Sequence, residues 1–239
     1  MGAVEDMQRC AREFFAAFAR KNNNSVLQAI PGAERLYATR INFQHFSDGL
    51  VIYVPLRENR RYSQASGVFG ALGPCGCLCL LGLAKQRPVR IGVSISVAAK
   101  LHGSGIYGKA VADAYNAEST IARYSRVVAT NSVIEYLDAL VSYPCDDADI
   151  LRKVDAAISE ECRLLLAKDF DGYAIVDYLG DRFERLLAEK HAQIAGNAFG
   201  YLQEQLDEHQ RNQNSGLAMR YSLLHGYFSD WDRRKRVEI

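Results

Sequence analysis

The chain has 239 residues, of which 49% are hydrophobic and 24% charged, and its net charge is +1 at pH 7. Such a composition builds a globular core and excludes a disordered or fibrous chain. The near-zero charge gives no electrostatic reason to expect a nucleic-acid partner or a membrane surface, and the basic run Arg233 to Arg236 reads as a solvated end. Six cysteines accompany an N-terminus, "MGAVEDMQRCAREFF", whose acids break any secretory core. The expectation is therefore a cytoplasmic protein with reduced thiols rather than a disulfide framework.

Residues 4–21 carry Met7, Cys10, Phe14, Phe15 and Phe18 at helical spacing. Residues 35–45 read as a strand and Leu50 to Leu56 as a second, apolar on consecutive residues and so expected to be covered on both faces. Asp48-Gly49 between them is a hairpin signal, because glycine accepts the positive φ of a tight turn. Gly67 to Ala84, "GVFGALGPCGCLCLLGLA", is uncharged and long enough to span a bilayer, but its glycines and Pro74 favour a buried, kinked core helix.

Further along, 88–97 predict a strand rich in β-branched residues, 107–120 a helix, 125–129 a short strand and 131–141 a helix. The turn-rich "SYPCDDAD" at 142–149 marks a boundary. Beyond it come a helix over 149–168, a strand or loop over 170–179, a long charged helical run over 181–211 and a last helix over 216–230. Two regions follow: 1–145, in which strands and helices alternate as in an α+β domain, and 146–239, a mostly helical extension packed on it or on a dimer partner.

Several motifs carry residue types that could support chemistry. "GSGIYG", Gly103 to Gly108, fits G-x-G-x-x-G, yet the strand after it, "RVVAT", ends without the acid a dinucleotide ribose needs. It reads instead as a tight loop before a helix, or as a phosphate-facing loop of another fold. Cys75, Cys77 and Cys79 lack a companion set for zinc and read as buried small apolar residues. His191 and His209 on one helix would stand about 27 Å apart, too far to share a metal. No nucleophile with an adjacent base is evident. Asp48 alone is an ordinary turn aspartate.

Taken in order, "FQHFSDGLVIYV", "PVRIGVSISV", "GSGIYGKAVADAYNAES" and "YSRVVAT" resemble the catalytic domain of class III nucleotidyl cyclases. The likeness is greatest to a divergent bacterial branch that includes pyrimidine cyclases of phage defence. It covers about residues 4–135, and more loosely 175–231. The resemblance implies a ferredoxin-like sheet covered by helices, a cytoplasmic homodimer, and cyclisation of a nucleoside triphosphate, UTP or CTP among the candidates. In that reaction the ribose 3′-hydroxyl attacks the α-phosphate and pyrophosphate leaves, with Mn²⁺ or Mg²⁺ held by two carboxylates.

Carried over residue by residue, Asp48 implies a metal ligand. Gln44 stands at the base-reading position and Gly105 at that of its partner. Gly49, Gly103 and Tyr107 lie near the nucleotide, and Arg90 is a structural part of its strand. The chain departs from the family where the transition-state Asn and Arg become Ala112 and Asn116. It also lacks the opening strand with the first metal aspartate, for which Glu5 and Asp6 are poor substitutes. Two expectations follow: an active cyclase, or a catalytically degenerate module that binds nucleotide or dimerises.

Overall fold

The computed structural model describes residues 41–46, 49–56, 63–101, 105–142 and 149–237. The helix expected over 4–21 lies outside them, as do residues 143–148 of the boundary expected over 142–149. The described chain mixes helices with several small sheets, as an α+β protein does.

The first two strands, β1 (Asn42–Phe46) and β2 (Gly49–Tyr53), pair antiparallel with Phe46 opposite Gly49 and Gln44 opposite Val51. Gly49 pairs with Phe46 and so begins β2 rather than sitting at the centre of the turn that Asp-Gly predicts; residues 47 and 48 lie outside the described residues. β2 is half-buried rather than covered on both faces, because this hairpin forms a two-stranded sheet of its own.

The uncharged segment forms α1 (Gln64–Ala84), the central helix of the core. It is apolar and long enough to cross a membrane, but 67% of its most apolar window is buried by the rest of the protein. Ser63 caps it: its hydroxyl accepts from Ser66 N–H at 3.0 Å and donates to Asp155 Oδ1 at 2.6 Å. The same carboxyl oxygen accepts from Ala65 N–H at 3.0 Å. Two of the donors that a helix start leaves open are thus satisfied, one of them from 90 residues away. The chain leaves α1 through Gln86 at φ 59°, with Arg87 N–H closing on the Gly82 carbonyl at 2.7 Å.

A four-stranded sheet lies against this helix. It runs β3 (Ile91–Val93), β6 (Val127–Ala129), β8 (Ala174–Val176), β7 (Leu166–Lys168). β3 and β6 are parallel, with Gly92 opposite Val128, and the other pairs are antiparallel. The pleat sorts its residues: Val127, Ala129 and Val176 join the core around α1, while Val128 and Ile175 turn to the other face and pack with Ala117 and Ala122. Only Ile91 to Val93 of the expected 88–97 strand is paired. The strands at 166–168 and 174–176 add two members to the sheet that β3 and β6 begin.

Between β3 and β6 the chain forms a second hairpin, β4 (Ala99–Leu101) with β5 (Gly105–Tyr107), and then α2 (Lys109–Asn116). A π-helical turn, Ala117–Ile121, extends α2. After β6 come α3 (Asn131–Ser142) and α4 (Ile150–Arg163), of which α4 packs on α1. The run expected as one helix over 181–211 is broken at Ala188, φ 49°, into α5 (Asp181–Leu187) and α6 (Lys190–Arg211). α6 lies along α1 and pairs with the last helix, α7 (Ser215–Val237). Phe199 stacks on Phe228 across that pair, with ring centroids 6.1 Å apart and planes 3° from parallel.

Candidate functional site

Two hairpins meet at Gln44. Ile106 N–H donates to Gln44 Oε1 at 2.5 Å, joining β1 to β5 across 62 residues of sequence. The amide packs against Gly105: a β-carbon at that position would stand 2.1 Å from Gln44 Nε2 and 2.3 Å from Oε1. Gly105 also has φ +94°, a region that L side chains rarely enter. Space and backbone thus both require glycine here, and Gln44 uses the room it leaves.

The two positions that the resemblance pairs at the base, Gln44 and Gly105, are therefore brought together. Tyr107 lies two residues further along β5, opposite Ala99 and 45% exposed. Gly49 is exposed at the start of β2. Asp48 and Gly103 lie outside the described residues.

α2 begins directly after β5, with Gly108 at φ +135° as its cap. It crosses β3 at Gly92, where a β-carbon would meet the Ala114 carbonyl oxygen at 2.0 Å. Arg90, at the foot of β3, reaches Glu118 on the π turn at 2.8 Å. It serves as a tie between strand and helix, as expected. Ala112 and Asn116 are exposed on α2, and the Asn116 side-chain oxygen accepts from Thr120 Oγ1 at 3.2 Å. Lys109 pairs with Asp113 on the same helix at 2.7 Å.

Among the described residues no three His, Cys, Asp or Glu side chains come together as a metal site. Cys75, Cys77 and Cys79 are buried, with burial pushing each thiol up to about 12. They are inert at neutral pH, in keeping with small apolar core residues. Both histidines lie on α6 as expected. His191 Nε2 donates to the Tyr178 carbonyl at 3.0 Å, and His209 stacks on Tyr221.

Sequence reasoning missed three buried polar assemblies. Arg126, 2% exposed, donates to Asp169, Asp171 and the Ile121 carbonyl. Its guanidinium lies 4.4 Å from the Tyr124 ring centre, and Tyr124 donates to Asp169. Asp155 caps α1. Tyr227 donates to Asp177 at 2.5 Å and accepts from Leu179 N–H at 3.2 Å. The carboxylates in them lie from 43 to 92 residues from the side chains that donate to them, and no local pattern marks such pairs.

Comparison with protein-family profiles, with curated proteins and with solved structures finds no match to this chain.

Proposed function

We propose that the chain is a nucleotidyl cyclase-like domain that takes a nucleoside triphosphate beside the two hairpins and acts as a cytoplasmic homodimer. Its reaction is formation of a 3′,5′-cyclic nucleotide with release of pyrophosphate, in a signalling role such as phage defence. One observation carries the reading: Gln44 and Gly105, which the motif resemblance pairs at the base, are in contact across 61 residues. The element order supports it further. A hairpin, a core helix, a strand, a glycine-bearing hairpin, a helix and a parallel strand follow one another in the order of the family's motifs, with the strands lying in three separate sheets. The exposed apolar face of the second hairpin, with Val97 80% and Leu101 51% exposed beside Tyr107, suits a dimer contact.

A second reading, a nucleotide-binding or dimerisation module without turnover, is motivated by the family's first metal aspartate having no match in the sequence. The two separate in one assay. The protein is incubated with each nucleoside triphosphate and Mn²⁺, and cyclic nucleotide is measured for wild type and Asp48→Ala. The cyclase reading expects product that falls at least about a hundredfold in the variant. Equal output from both proteins, including none, overturns it. Calorimetric binding without product then establishes the second reading, and absence of binding removes both.

A further inference from the structure

We infer that α2 is a hinged strap: it lifts from β3 at its Gly108 end while the π turn at its other end and the core stay closed.

Every other described helix buries at least one apolar side chain, and α2, Lys109 to Asn116, buries none. Its docking is made by backbone instead. At Gly92 of β3 a β-carbon would stand 2.0 Å from the Ala114 carbonyl oxygen, so strand and helix meet with no side chain between them. Gly108 sits in the same way on the Val97 carbonyl oxygen, which a β-carbon would meet at 2.7 Å. Ala110 N–H donates to that oxygen at 3.2 Å, and Val97 is 80% exposed. The pair Lys109–Asp113 is solvated and lies within the helix, so it ties α2 to nothing else. Eight residues are too few to persist as a helix without support.

The two ends are held unequally. Beyond α2, Ala117 and Ala122 are buried with Val128 and Ile175 on the outer face of the sheet. Arg126 Nη2 donates to the Ile121 carbonyl at 2.7 Å, and Arg90 pairs with Glu118 at 2.8 Å. The Ser119 and Thr120 hydroxyls donate to the Tyr115 and Asn116 carbonyls at 2.8 and 2.7 Å, tying the end of α2 to this anchored turn. The start has the glycine seat and the Ala110 bond. Opening therefore begins at Gly108, hinges at the π turn and bares the Gly92 face of β3, the edge strand of its sheet.

The test follows amide hydrogen exchange of the full chain by NMR, with and without urea below the unfolding transition. Ala112 to Asn116 should exchange at least about a hundredfold faster than the amides of α1. They should outpace by a similar factor Ala122, whose N–H closes the π turn on the Ala117 carbonyl at 2.8 Å. Their rates should stay flat as urea rises, because a local opening exposes little surface, while those of α1 climb. Gly108→Ala sets a side chain against the Val97 carbonyl at φ +135°, so it should speed exchange in α2 by about a further tenfold and leave α1 unchanged. Exchange in α2 as slow as in α1, or with the same dependence on urea, overturns the inference. Ala122 exchanging as fast as Ala112 overturns the hinge, and a Gly108→Ala effect no larger in α2 than in α1 overturns the latch. Should that variant not fold, the wild-type urea series decides alone.

Discussion

Arg126 Nη2 lies 2.6 Å from Asp171 Oδ2, and the guanidinium that makes this contact is 2% exposed. Its other nitrogen holds Asp169, which is 9% exposed. One buried cation thus ties the loop between β7 and β8 to the start of β6 and to the last carbonyl of the π turn.

Removing that cation should be costly. Arg126→Met leaves two carboxylates facing a space that no longer balances them, and a loss of about 3–5 kcal/mol in urea unfolding is expected. Asp169→Asn combined with Arg126→Met should cost less than the sum of the single changes, because the two share one interaction. Burial pushes the Asp171 carboxyl up, but the Arg126 hydrogen bond and charge outweigh it and hold it below its ordinary value. The stability this gives is present above the ordinary aspartate range and is lost as pH falls through the lowered native value. Arg126→Met should flatten that acid decline.

Asp155 works in the opposite sense. Burial raises its carboxyl, and the bonds from Ser63 and Ala65 only partly offset the rise. The folded protein therefore holds this proton better than the unfolded chain. Stability from the group is full below the ordinary aspartate range and falls as pH rises through the raised native value. Asp155→Asn keeps an oxygen for both donors and cannot ionise. Its unfolding free energy, followed across the carboxylate range, should lack that fall. An unchanged slope would show that Asp155 is not its source.

Gly76 tests the packing of the core. A β-carbon there would stand 2.3 Å from Phe183 Cζ and 2.8 Å from Val176 Cγ1. Gly76→Ala should destabilise by about 1–3 kcal/mol. Shortening the ring to Leu, in Gly76→Ala with Phe183→Leu, should recover part of the loss. A double-mutant cycle with no coupling would place the strain elsewhere.

Much of the frame was legible in the sequence because its signals are local. The two apolar runs on either side of residues 47 and 48 marked the paired strands β1 and β2, and the uncharged run from Gly67 marked the central helix. The helix from Asn131 ends within one residue of its expected limit. What escaped depended on partners far along the chain. The strand at 88–97 is cut to three residues because β6 offers only three opposite it. The helix expected over 149–168 stops at Arg163 so that 166–168 can pair with β8. Of the candidate site, the residue types were readable, but the clasp of Gln44 on Gly105 and Ile106 was not. It requires two hairpins to dock, and neither one's sequence encodes the other.

The cap on α1 sets an order of events during synthesis. Its capping acid is residue 155 and its packing partners are α4 and α6, all of which leave the ribosome after it. Until residue 211 has emerged, the nascent chain carries a 21-residue apolar helix with its burial incomplete. A chain stalled in that interval presents chaperones and membrane-targeting factors with the surface that the finished protein encloses.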